Sequence, residues 1–89
     1  MSGPVEVVLL TQHQCGLCEH AKAILDRLAR EYPLKVTALD LASPQGREVA
    51  AAGQIPFPPG IFLDGEPFCY GRLSERKLRR ELDRRWQPS

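Results

Sequence analysis

The chain contains no apolar run that approaches the length of a membrane-spanning helix, so nothing in the sequence indicates a membrane protein. It also has no large excess of charge of one sign. The formal net charge is +1, which provides no strong attraction to nucleic acid or to an anionic membrane. The N-terminal residues lack a charged leader followed by an apolar stretch, so we expect no signal peptide and a cytoplasmic protein.

Cysteine is scarce as well, with three residues in 89. A small secreted domain held together by disulfides usually has a larger, even number of cysteines. Three cysteines without a leader fit a redox or metal site better. The length and a hydrophobic fraction of 43% predict one globular domain over residues 1–89 with one modest core. The chain has no repeat and no linker.

The pattern of apolar residues predicts four strands and three helices. The predicted strands cover residues 5–11, 34–41, 60–63 and 66–70. The predicted helices cover residues 18–31, a short segment between Ser43 as N-cap and Gly53 as closing residue, and residues 75–85 with Ser74 as N-cap. The order βαβαββα predicts an α/β domain, with a four-stranded mixed sheet and helices on both faces.

The pair Cys15 and Cys18 lies where the first strand gives way to the first helix. Two intervening residues in the first turn of a helix bring the two sulfurs within disulfide range. Free N–H groups and the helix dipole at this end favour an anion, which lowers the pKa of a thiol there. We therefore predict that Cys15 is the attacking nucleophile and that Cys18 is the shielded resolving thiol.

Two other interpretations of the pair stay open. The cysteines could pack as small hydrophobic residues without any chemistry. They could also form a zinc site with His13 and His20, which flank them. Zinc requires four ligands in a tetrahedron, and the first-turn geometry makes it hard for both histidines to converge on one metal. We expect no bound metal.

Three segments carry a family resemblance: residues 10–18 with the cysteine pair, residues 59–65 from Pro59 to the hairpin, and Gly71 before the last helix. Together they resemble the glutaredoxin branch of the thioredoxin superfamily. The resemblance implies a thioredoxin-like fold of the glutaredoxin type and a dithiol oxidoreductase that reduces protein or low-molecular-weight disulfides. It implies no bound cofactor besides the redox-active disulfide, with thioredoxin reductase or glutathione as electron donor. We expect a monomer.

The resemblance also assigns residues around the cysteines. It implies that Pro59 follows a cis peptide bond, faces the cysteine pair and positions the substrate; Pro56 is the alternative. The preceding Pro58 has no N–H, so only its carbonyl can pair with a substrate backbone. Gln12 stands where glutathione-binding members have lysine, and Arg72 follows the glycine before the last helix. Both are predicted contacts of glutathione or of a partner.

Other functions and residues remain as alternatives. Gly16, in place of a proline after Cys15, is compatible with an iron–sulfur carrier that holds a cluster through Cys15 and glutathione. A non-catalytic interaction domain is a further alternative. Cys69 is predicted as a buried structural thiol, with a regulatory or dimerising thiol as the other interpretation. Asp40, at the end of the second strand, is a candidate proton acceptor beneath the cysteine pair.

Overall fold

A computed structural model describes residues 3–86 and contains the seven expected elements in the expected order. The strands are β1 (Val5–Thr11), β2 (Leu34–Asp40), β3 (Gly60–Leu63) and β4 (Glu66–Tyr70). The helices are α1 (Gly16–Leu28), α2 (Pro44–Gly53) and α3 (Glu75–Arg85). The predicted bounds of β1, β3, β4 and α3 are confirmed, and β2 ends one residue earlier than predicted.

Helix α1 differs from its prediction at both ends. It begins two residues earlier, because Cys15 is the N-cap and Gly16 is already helical. It ends three residues earlier, at Leu28. The N–H groups of Arg30 and Glu31 bond to carbonyls three residues back, so the chain tightens into turns before Pro33.

The end of α2 also requires a correction. Gly53 does not close this helix as predicted: it is the last helical residue, and Gln54 holds the left-handed position with φ 56°. The glycine is needed for a different reason. A Cβ at Gly53 would lie 2.5 Å from a ring carbon of Phe62, so close packing of helix on sheet demands a residue without a side chain.

The four strands form one mixed sheet in the order β2-β1-β3-β4. Strands β1 and β2 are parallel, with Thr11 opposite Asp40 at their carboxyl ends. Strand β3 runs antiparallel to both β1 and β4, with Gly60 opposite Leu10 on one side and Tyr70 on the other. The end of β1, the end of β2, the start of β3 and the end of β4 therefore meet at one end of the sheet.

Apolar side chains bury both faces of this sheet. Helices α1 and α3 pack on one face, around the fully buried Leu9, Leu25, Leu28, Ile61 and Leu78. Helix α2 packs on the other face, around Leu10, Ala50 and Phe62. The predicted arrangement with helices on both faces is confirmed. Each fully buried leucine contributes roughly 1.5–3 kcal/mol relative to an exposed one.

Two predicted helix caps are present. The hydroxyl of Ser43 accepts the N–H of Gly46 over 2.9 Å, and the hydroxyl of Ser74 accepts the N–H of Lys77 over 3.2 Å. Each bond satisfies one of the free donors in the first helical turn. The caps fix where α2 and α3 begin relative to the strands that precede them.

Candidate active site

The cysteine pair lies at the junction between β1 and α1. After Thr11 the chain turns through His13 and Gln14, and Gln14 adopts a left-handed φ of 54°. This turn redirects the chain so that α1 begins immediately after Cys15. The N-cap position gives Cys15 an extended backbone (φ −114°, ψ 107°), and its sulfur lies over the first turn of α1.

Cys15 and Cys18 form a disulfide, with their Cα atoms 5.2 Å apart. The backbone N–H of Cys18 also donates a hydrogen bond to Sγ of Cys15 over 3.2 Å. The two residues differ in access to solvent: Cys15 is partly exposed, whereas Cys18 is fully buried. The predicted pairing of an accessible first cysteine with a shielded second one is therefore present in the structure.

The peptide bond between Pro58 and Pro59 is cis. It is the one cis bond among residues 3–86, so Pro59 and not Pro56 occupies the cis position that the resemblance implies. Pro59 is fully buried and immediately precedes Gly60, which lies opposite Leu10 near the end of β1. The topology thus brings Pro59 to the end of the sheet from which the Cys15 loop departs. Its part in positioning a substrate stays a prediction.

The segment that follows β4 contacts the cis-proline. The N–H of Gly71 donates to the carbonyl of Pro59 over 2.8 Å, and Gly71 has a φ of 79° that favours glycine. A Cβ at Gly71 would lie 3.2 Å from a ring carbon of Phe57. The rings of Phe57 and Tyr70 meet edge to face, with centroids 5.2 Å apart, and both side chains are about half exposed. No local signal in the sequence pairs these two aromatic residues.

The predicted contact residues lie at this end of the sheet. Gln12 follows β1 directly and is exposed. Arg72 is exposed and lines a hollow beside the end of β4. Their contact with glutathione or a partner stays a prediction.

Asp40 does not lie beneath the cysteine pair as expected. It is exposed at the end of β2, and its Oδ1 accepts the N–H of Ala42 over 2.7 Å, which caps the turn into α2. No polar or charged side chain is buried within residues 3–86. The described part of the chain therefore provides no buried carboxylate that could take a proton from Cys18.

The remaining candidate residues are the two histidines that flank the cysteine pair and the third cysteine, Cys69. His13 and His20 are both exposed, and residues 3–86 contain no group of three or more His, Cys, Asp or Glu side chains arranged to hold a metal ion. Cys69, in β4, is a half-buried free thiol, and burial raises its pKa to about 11. A raised pKa disfavours the thiolate, which is the reactive form. No helix within the described range is long and apolar enough to cross a membrane.

The chain matches a family of known proteins over most of its length. A family model described as a glutaredoxin-like domain (DUF836) matches residues 6–83. The chain belongs to this glutaredoxin-like family. The match includes all seven elements except the ends of β1 and α3, and it confirms the resemblance predicted from the cysteine pair and the proline-glycine spacing.

Solved structures show the fold of this glutaredoxin-like domain. One similar structure is a mutant thioredoxin from Halobacterium salinarum NRC-1, with 21% sequence identity and a TM-score of 0.73. The similarity covers 92% of this chain and 74% of the thioredoxin. The predicted thioredoxin-like fold is thereby confirmed. None of the curated proteins compared with the chain matches it.

Proposed function

We propose that this glutaredoxin-like domain is a thiol–disulfide oxidoreductase that uses Cys15 as nucleophile and Cys18 as resolving thiol. One observation carries the proposal: the sulfur of an accessible N-cap cysteine accepts the backbone N–H of a buried partner cysteine. This arrangement supplies a thiolate-stabilising donor and a second thiol in the same helical turn.

In the first step, the Cys15 thiolate attacks one sulfur of a substrate disulfide. An S–S bond forms between Cys15 and that sulfur, the substrate S–S bond breaks, and the other substrate sulfur leaves as a thiolate. The helix N-terminus favours this step because it stabilises the attacking anion before attack. The partial exposure of Cys15 gives a substrate disulfide access to this residue.

In the second step, Cys18 attacks the Sγ of Cys15, forms the intramolecular disulfide and releases the remaining substrate thiolate. Two electrons pass from the cysteine pair to the substrate, which becomes a dithiol. The proton of Cys18 passes to water or to a departing thiolate, because the described residues place no buried acid or base next to it. Burial of Cys18 keeps it from reacting with outside thiols before the mixed disulfide forms.

The substrates we propose are protein or low-molecular-weight disulfides, and the electron donor is thioredoxin reductase or glutathione. The disulfide itself carries the electrons, so the proposal requires no other cofactor. The place of Pro59, immediately before Gly60 at the same end of the sheet as the Cys15 loop, supports a role in positioning. The preceding Pro58 offers only its carbonyl to a substrate backbone.

A redox titration tests this function. The protein is equilibrated in glutathione buffers of graded potential, free thiols are alkylated, and adducts are counted by mass spectrometry. We expect Cys15 and Cys18 to convert together to an intramolecular disulfide, with a midpoint of roughly −120 to −270 mV, the range of dithiol oxidoreductases. A pair that stays inert over this range would contradict the proposed function.

A further inference from the structure

Strand β4 is an edge strand. The sheet order β2-β1-β3-β4 leaves the side of β4 that faces away from β3 without a partner strand within the described residues. The free N–H and C=O groups of such an edge are a template for pairing with an extended segment of another chain. The usable part of this edge can be located from the hydrogen bonds to β3.

The backbone of Tyr70 points toward the open edge. Gly71 donates its N–H to the carbonyl of Pro59, which precedes Gly60, and Gly60 lies opposite Tyr70. In an antiparallel ladder this bond makes Gly60 and Tyr70 a non-hydrogen-bonded pair, so both backbone groups of Tyr70 face away from β3. The backbone N–H and C=O of the neighbouring Cys69 point the opposite way, toward Ile61 of β3.

Two hollows flank this part of the edge. One has a volume of about 350 Å³ and is lined by residues at the end of α2, namely Gly53, Gln54 and Ile55, together with β4. The other has a volume of about 340 Å³ and is lined by residues around the start of α3, namely Arg72, Ser74 and Lys77, together with β4. We call them the α2-side hollow and the α3-side hollow.

The hollows lie on opposite faces of the same strand. Helices α2 and α3 pack on opposite faces of the sheet, and both hollows share Phe68, Cys69 and Tyr70 as a wall. Side chains alternate between the two faces along a strand. A segment added to β4 would therefore place one side chain in the α2-side hollow and the next in the α3-side hollow.

The two hollows differ in charge. Among the described residues, no charged side chain lines the α2-side hollow, which includes the apolar Ile55, Pro67 and Phe68. The α3-side hollow holds the cations Arg72 and Lys77, and neither takes part in any ion pair found among residues 3–86. Arg79, Arg84 and Arg85 of α3 are paired with carboxylates, whereas Arg76 and Arg80, outside the hollow, are in no ion pair found among residues 3–86. The unpaired charges favour a carboxylate in the α3-side hollow.

From these observations we infer that the open edge of β4 binds an extended segment of a partner protein in which apolar and acidic residues alternate. The segment pairs its backbone with Tyr70, inserts an apolar side chain into the α2-side hollow and directs a carboxylate to Arg72 and Lys77. This surface does not depend on the redox chemistry. Strand β4 lies two strand spacings from β1, so a segment bound to its open edge lies three spacings, or roughly 14 Å, from β1.

The test uses two fluorescein-labelled octapeptides, one of alternating Val and Glu and one of alternating Val and Lys, with binding measured by fluorescence anisotropy. We expect the Val-Glu peptide to bind and the Val-Lys peptide to bind at least about tenfold more weakly. The double variant Arg72→Glu/Lys77→Glu should weaken Val-Glu binding about tenfold or more. The matched control Arg76→Glu/Arg80→Glu reverses two cations of the same helix outside the hollow, and should change binding by less than about twofold.

Amide hydrogen exchange locates the contact independently of charge. Addition of the Val-Glu peptide should slow exchange at the Tyr70 N–H, which faces the open edge, and leave the Cys69 N–H unchanged because that group already faces β3. The inference is overturned if the Val-Glu peptide does not bind, if both peptides bind equally, if both double variants lose binding alike, or if Tyr70 exchange does not change.

Discussion

The backbone N–H of Cys18 points at the sulfur of Cys15 over 3.2 Å. In the oxidised protein this hydrogen bond lies in the same helical turn as the disulfide. After reduction the same donor faces the sulfur that must carry a negative charge, at the positive end of α1. One backbone group therefore supports both states of the redox cycle, and its effect on the reduced state can be measured.

We predict that the reduced Cys15 thiol has a pKa below that of an ordinary cysteine, which is about 8.5. The measurement is the rate of iodoacetamide alkylation against pH. Cys18→Ser serves as the test protein because serine keeps the backbone N–H and leaves Cys15 as the one reactive thiol of the pair. A half-maximal rate at or above about pH 8.5 would show that the helix end does not stabilise the thiolate.

Cys69 should be slow to react for the opposite reason. Burial raises its pKa to about 11 from 9.0, and nearby Lys77 lowers it only in part. At about pH 8 the thiolate is then about a hundredfold rarer than for an exposed thiol. In Cys15→Ser/Cys18→Ser, alkylation of Cys69 should be about a hundredfold slower in the folded protein than in urea. Equal rates would mean that Cys69 is open to solvent.

The first turn of α2 tolerates no side chain at its third residue. A Cβ at Gly46 would overlap the backbone carbonyl of Asp40, whereas a Cβ at Gly16, in the first turn of α1, meets nothing within 4 Å. We predict that Gly46→Ala lowers the free energy of unfolding by about 1–3 kcal/mol, as overpacking does. Gly16→Ala is the matched control and should raise it by up to about 1 kcal/mol.

Urea unfolding of wild type and of both variants measures these changes in the free energy of unfolding. Equal effects of the two alanines would contradict the close approach of α2 to the end of β2.

Tyr32 should make stability depend on pH in the alkaline range. Its hydroxyl donates to Asp83, and this hydrogen bond raises the pKa of Tyr32 above 10.0. A raised pKa means that the stabilisation is complete below about pH 10 and is lost as pH rises through the higher folded value. We predict that Tyr32→Phe unfolds about 1 kcal/mol more easily at about pH 7.

The difference between wild type and Tyr32→Phe should shrink above about pH 10, since the ionised phenol can no longer donate. Lysines titrate equally in both proteins, so the subtraction removes their contribution. A difference that stays constant from about pH 7 to about pH 11 would show that the phenol does not bond to Asp83.

Local sequence signals predicted most of the fold. A β-branched, apolar run located β1, and Ser43 and Ser74 located two helix starts, because capping depends on residues three positions apart. The errors lie where contacts between elements that are distant in the sequence determine the structure. The conformational freedom of Gly53 predicts a helix cap, but its position is set by the ring of Phe62, which lies on the neighbouring sheet.

The candidate site also has features that the local sequence predicts and features that it does not. The cysteine pair and the cis-proline were predictable, because each depends on residue type at a fixed spacing. The exposed position of Asp40, away from the cysteine pair, and the contact between Phe57 and Tyr70 were not predictable. Both follow from how β2 and β4 end relative to their neighbours, and strand register is a property of the assembled sheet.

The most direct test of the assigned roles is trapping of the mixed disulfide with the two single variants. Each reduced variant is mixed with a protein disulfide substrate and analysed on non-reducing gels and by mass spectrometry. We expect Cys18→Ser to accumulate a covalent complex through Cys15, because the resolving thiol is missing, and Cys15→Ser to form none, because Cys18 is buried. A complex that forms through Cys18 in Cys15→Ser, or none with Cys18→Ser, would contradict the proposed mechanism.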